Sequence, residues 1–205
     1  MFLKPALLIK IVVTLLVVSG VTYLGRVGIA DFMRLAPTAY VDSVMKGEVR
    51  PLPMDLVNAR EQLLRAGSWD ESNPLIPEYL GQVAFMHAQL LAFSPALQAI
   101  FLREAVEDFQ VAIRLRPNSS VLWADRMTAG SWLLQINEKL GRDNYKQTEL
   151  AVIQTAIRRA AVLGPWEPQI LKQLVKVGTL RYAELSPDVR LVVDGAKLRA
   201  RQLQL

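Results

Sequence analysis

The side chains able to do chemistry in this sequence are few. His87 is the only histidine and there is no cysteine, so a histidine-rich zinc site, an HExxH helix, disulfides and thiolate ligands are all excluded. No GxSxG turn, Walker A loop or GxGxxG fingerprint occurs. The remaining acid–base candidates are His87 and the carboxylates Glu104, Glu107 and Asp108. Carboxylate pairs act as acid and base when they face one another across a cleft. These three are neighbours along one predicted helix with Arg103 and Arg114 nearby, which describes a solvated face. His87, inside Ala84–Phe85–Met86–His87–Ala88, reads as a packed histidine. The expectation is a non-enzymatic protein with no metal site and no cofactor.

Two other sets of side chains suit binding better than reaction. Trp123, Trp132 and Trp166 with Tyr145 and Tyr182 could form an aromatic platform for a sugar or a peptide; in stacked helices, filling the spaces between elements is the preferred reading. Near the C-terminus, Arg190, Lys197, Arg199 and Arg201 stand against Asp188 and Asp194, with Leu191, Val192, Leu198 and Leu203 interleaved. That pattern fits an amphipathic helix capping a stack with its basic face outward. Contact with an anionic lipid or polymer is the alternative, permitted by a net charge of +5. No nucleic-acid motif accompanies the charge, so nucleic acid is not an expected partner.

The elements that must position these groups begin with an apolar run. Ala6–Leu24 carries one charge, Lys10, and Ile11–Leu24 carries none. At about 1.5 Å per residue this helix matches the ~30 Å hydrocarbon layer. Val18–Ser19–Gly20 does not end the run, and Arg26 separates it from a possible cleavage site at Gly28–Ile29–Ala30, so a retained signal-anchor is expected. Lys4 and Lys10 flank one side, Arg26 and Arg34 the other. The short N-terminal flank makes N-in, with the domain outside the cytoplasm, the default. The expected organisation is an anchor at 1–30, a stalk and linker at 31–54, and a helical domain at 55–205. Pro37 is expected to interrupt the stalk, and Gly47, Pro51 and Pro53 mark Val41–Pro53 as linker.

From Asp55 onward, seven helices with short turns and no strand are predicted. Asp55 caps the first, with Leu56, Leu63 and Leu64 as its stripe and Gly67 closing it. A second reaches Phe93. Ser94–Pro95 opens Ala96–Leu115 as cap and N1 proline. Val121–Leu140 ends at Gly141, Asp143–Leu163 follows, Trp166–Pro168 opens a helix to about Leu185, and Ser186–Pro187 opens the last. The fold class expected is all-α, an N-terminal transmembrane helix followed by antiparallel helix hairpins.

Within Arg103–Leu122, the residues Ala105, Phe109, Ala112 and Pro117 place small, aromatic and small side chains on one helix face, ended by proline. Ala112–Pro117 recurs in outline as Ala160–Pro165, with Ile153 and Ile157 in place of Ala105 and Phe109. This resembles the second helix of a tetratricopeptide (TPR) hairpin, and the resemblance implies a docking scaffold. The leading-helix tryptophan–leucine–glycine–tyrosine pattern of that family is missing. Leu163–Gly–Pro–Trp–Glu–Pro168, together with the anchor, is similar to the VpsP-like family of bacterial polysaccharide-biosynthesis accessory proteins. That resemblance implies a single-pass protein of the bacterial inner membrane, its domain on the periplasmic side, docking other envelope proteins in a polysaccharide synthesis or export assembly. A small accessory subunit of another membrane complex is the alternative.

Overall fold

The computed structural model of the chain describes residues 5–142, 144 and 146–205, with side chains from Ile9 onward. Lys4 of the N-terminal flank, Asp143 as a helix start and Tyr145 of the aromatic set lie outside the described residues. Among those described there is no strand. The helices are α1 (Pro5–Met45), α2 (Pro53–Trp69), α3 (Leu75–Leu90), α4 (Pro95–Leu115), α5 (Ser120–Lys139), α6 (Lys146–Leu163), α7 (Pro168–Leu180) and α8 (Pro187–Gln202), with a 3-10 turn at Tyr182–Glu184 before the last. The all-α expectation and the seven helices after the apolar segment hold.

They pair as four hairpins, α1–α2, α3–α4, α5–α6 and α7–α8, and each helix packs chiefly on its neighbours in sequence. Three apolar cores follow one another along the stack. The first joins α1, α2 and α3, the second α3, α4 and α5, and the third α5 to α8. Contacts made chiefly within a hairpin and with the adjacent hairpin are the geometry of a helical repeat array.

The second helix of each hairpin explains why. Leu56, Ala59, Leu63 and Ala66 of α2 are buried, as are Leu102, Ala105, Phe109 and Ala112 of α4 and Leu150, Ile153, Ile157 and Ala160 of α6. The spacing 3, 4, 3 is the same in all three and puts the side chains on one face. α8 keeps the last three positions as Val189, Val193 and Ala196. The final alanine thus recurs after 46, 48 and 36 residues (112 − 66, 160 − 112, 196 − 160). Glycines of the facing helices sit against this face. A Cβ on Gly81 would lie 2.8 Å from the Phe109 ring, and one on Gly178 would lie 2.5 Å from Val193. The hairpins close because these positions carry no side chain. The first copy of the repeat therefore ends at Ala66, and Leu64, expected in the apolar stripe, is 45% exposed.

Pro37 does not interrupt α1, which continues to Met45. Proline removes one backbone donor and crowds the preceding turn. Tertiary packing outweighs that cost. Ala30 and Val41 are fully buried, Met33, Tyr40 and Val44 pack on the first core, and the Tyr79 hydroxyl donates to Asp42 at 2.8 Å. The Thr38 hydroxyl lies 2.9 and 3.1 Å from the Arg34 and Leu35 carbonyls beside the gap. The stop comes at Gly47, whose φ of +76° suits a residue without Cβ. Its N–H reaches the Val44 carbonyl, and that of Glu48 reaches Ser43, closing a Schellman motif. Residues 31–45, expected as part of the stalk and linker, are thus largely the first helix of the first hairpin.

Smaller departures have local causes. Pro53 takes the N1 position of α2, so Asp55 falls in its first turn rather than at the cap, and Gly67 lies inside the helix. α7 stops at Leu180, and the 3-10 turn carries the chain on to Leu185. In α8 the buried face is Val189, Val193, Ala196 and Ala200, while Leu191 and Leu198 of the expected stripe face outward.

Candidate functional site: the groove of the first helices

The repeat-pattern residues prove to be structural. Ala105, Phe109, Ala112 and Ala160 are buried between helices. Pro117 and Pro165 follow the ends of α4 and α6 and lead into α5 and α7. The Leu163–Pro168 turn docks on the start of α5. A Cβ on Gly164 would lie 2.8 Å from that of Ser120, whose hydroxyl donates to Glu167 at 3.0 Å.

His87 is buried and stacked on Phe101, with ring centroids 4.6 Å apart. Burial holds its pKa below the usual histidine value, partly offset by Glu104. Glu104 pairs with Arg60 at 3.5 Å. Only Glu107 is an exposed member of the acidic trio. Asp108 is half-buried and its carboxyl is pushed up to about 6 by that burial. The face expected to be solvated is instead partly covered by α2, because the stack brings Arg60 over it.

The aromatic residues are not gathered into a platform. Trp123 Nε1 donates to the Pro117 carbonyl at 2.8 Å, Trp132 packs edge-on against Phe85, and Trp166 is 55% exposed on another turn. Nor do the four C-terminal cations form one free patch. Arg190 donates to the Tyr182 and Ala183 carbonyls at 3.0 and 2.9 Å, which ties α8 to the turn before it. Lys197 pairs with Asp194 at 3.2 Å and lies over the Tyr182 ring, and Arg199 lies over Trp166. Arg201 is exposed in the last turn of α8.

What sequence inspection missed is a cavity of about 380 Å³ lined mainly by the first helices of all four hairpins. α1 contributes Val44 and Met45, and α3 contributes Gln82, Phe85, Met86 and Gln89. α5 adds Asp125 and Thr128, and α7 adds Gln173 and Lys176. The Gln173 amide nitrogen donates to Asp125 Oδ1 at 3.2 Å, and the Thr128 hydroxyl lies 3.0 Å from Gln173 Oε1. Asp125 Oδ2 and Gln82 Oε1 are buried without a hydrogen-bond partner. Burial pushes the Asp125 carboxyl up to about 7, against the opposing pull of the Gln173 and Gln82 amides. Behind the groove Glu78 is held by Arg116, and burial raises its pKa despite that partner. The four polar positions are scattered over 92 residues of sequence (173 − 82 = 91 steps). Only the stacking order of the hairpins brings them together, so no local motif could have announced them.

A larger cavity of about 500 Å³ lies between α4, α5 and the start of α6. Two of its five charged lining residues, Glu149 and Lys146, are held in ion pairs, while Arg103, Glu107 and Arg142 make none among the described residues. Glu149 pairs with Arg126 at 2.7 Å, and Lys146 bridges Glu138 and Glu184 at 2.9 Å each. Among the described residues no group of three or more metal-ligating side chains occurs.

No known protein family matches this sequence, and no curated protein does. Among solved structures, the chain is similar to the crystal structure of a de novo designed helical repeat protein at 14% identity and a TM-score of 0.40, over 89% of this chain and 96% of that one. The stacking described above stands on this chain's own contacts.

Proposed function

We propose that the protein is a membrane-anchored, non-enzymatic scaffold that docks a partner protein in the groove of its first helices. One observation carries the reading: a cavity built from all four hairpins holds two buried acceptors, Asp125 Oδ2 and Gln82 Oε1, that the chain itself leaves without donors. Buried polar atoms without partners are costly, and a groove that retains them is shaped for something that supplies the missing donors. The N-terminal segment of α1 is long and apolar enough to cross a membrane. As a retained anchor it raises the groove's concentration at the membrane surface. The resemblance of Ala105–Pro117 to a TPR hairpin agrees with a docking role. The resemblance of Leu163–Pro168 to the VpsP-like family motivates an envelope polysaccharide assembly at a bacterial inner membrane, with the domain outside the cytoplasm.

A second reading, an accessory subunit packed laterally on a larger membrane protein, is favoured by a different observation. Beyond the apolar run, α1 still exposes Ile29, Phe32 and Leu35, with Phe32 at 77%.

Complementation of a strain lacking the gene tests both. Thr128→Arg, which places a long cation in the groove, is expected to abolish function at normal protein levels, while Phe32→Ser retains it; the reverse pattern favours the lateral subunit. His87→Gln and Glu104→Gln are expected to complement. A stable but inactive His87→Gln or Glu104→Gln protein would return the enzyme hypothesis to the front. Reporters fused to the C-terminus are expected to be active only outside the cytoplasm.

A further inference from the structure

Hydrogen-bonding demand at the groove floor is one-sided. Asp125 Oδ1 accepts from Gln173, while, with Asp125 ionised, Oδ2 and Gln82 Oε1 are acceptors that make no close hydrogen bond within the chain, although the Gln82 amide stabilises the carboxylate from nearby. A ligand rich in acceptors, such as a carboxylate or phosphate, offers these atoms nothing and meets a carboxylate besides. Of the charges around the floor, Asp125 is the lining carboxylate without a cationic partner. Glu78 on α3 is paired with Arg116 at the end of α4, Asp42 on α1 accepts from Tyr79, and the cation of the lining, Lys176 on α7, is exposed at the rim. The sides are apolar and include Phe85 and Met86.

Granted the docking role, we propose that the groove takes an extended basic segment of the partner. One lysine or arginine lays its aliphatic stem against Phe85 and Met86 and donates to Asp125 Oδ2 and Gln82 Oε1. Long cationic side chains are suited to this, being apolar along the stem and rich in donors at the tip. A segment is favoured over a free amine because the lining crosses from α1 to α7 and offers apolar surface on either side of the acid. Asp125 titrates near pH 7 when the groove is empty. A cation beside it favours the ionised form, so binding strengthens as pH rises through that value.

The experiment uses the full chain in detergent micelles and three fluorescent alanine–serine nonapeptides carrying a central lysine, Nε-acetyl-lysine or glutamate. The lysine peptide is expected to bind saturably, and acetylation to weaken binding roughly ten- to hundredfold. Asp125→Asn is expected to lower lysine-peptide affinity to a similar degree and to remove its rise with pH. The comparison of peptides needs only the wild-type chain, so a poorly folding variant does not blunt the test. Equal binding of the lysine and acetyl-lysine peptides, preference for glutamate, or no saturable binding up to millimolar lysine peptide each overturns the proposal. If Thr128→Arg still abolishes complementation in such a case, docking in the groove survives with an occupant of other chemistry; if it complements, the docking reading falls with it.

Discussion

Burial of the Asp125 carboxyl makes the stability of the fold depend on pH. Its folded pKa, about 7, lies above the ordinary carboxylate value of 3.8, so the folded chain holds a proton there that the unfolded chain releases. The sign follows by linkage: its contribution is fully present below about pH 4 and is lost as pH rises through 7. Asp108, raised to about 6, acts in the same direction. His87, lowered by burial, acts oppositely, its contribution being present above the ordinary histidine value and lost as pH falls. Asp125→Asn is therefore expected to raise the melting temperature at pH 8 by a few degrees, on the order of 1 kcal/mol. The gain should vanish near pH 4. Melting curves of the full chain across this range check it, and a gain independent of pH would contradict the assigned titration.

At the scale of elements, Pro37 within α1 and Gly47 just beyond its end have exchanged their expected roles. Pro37 looks like the terminator and is carried through, whereas Gly47 looks like linker and is the stop. Pro37→Ala is expected to stabilise the chain by about 1–3 kcal/mol, because it restores a donor and relieves the preceding turn. Gly47→Ala, forced to φ +76°, is expected to cost about 1 kcal/mol. Denaturant titration measures both, and a destabilising Pro37→Ala would mean the proline does not burden the helix. On the face of α4, Ala112→Trp is expected to cost about 1–3 kcal/mol or more by overpacking, and Glu107→Ala less than about 0.5. Equal sensitivity would mean the face is misassigned. These examples mark what was legible. Helix type, number and the buried alanine–aromatic face can be read locally, because 3.6-residue periodicity and proline starts are local properties. The fate of Pro37, the exposure of Leu64 and the burial of Asp108 depend on partners remote in sequence. The groove was not legible, since Gln82, Asp125 and Gln173 meet only after three hairpins have stacked.

For the whole molecule, packing chiefly within hairpins and between adjacent hairpins predicts graded rather than uniform cooperativity. Amide exchange is expected to be slowest in α4 and α5, which have a hairpin on either side, and fastest in α8, which ends the array. Identical protection throughout would show one global unfolding unit. The other end of the array has a different character. α1 runs unbroken for 41 residues, about 60 Å of helix, and its two halves serve the apolar segment and the first core. Arg26 fastens that rod further, donating to the Trp69 and Ser68 carbonyls at the end of α2. A tethered domain on a slack leash sweeps a hemisphere in search of its target. On the proposed reading, with this segment as anchor and the groove as docking site, the unbroken rod sets the height and compass bearing of the groove mouth, and a few glycines inserted after Leu24 would set the needle spinning.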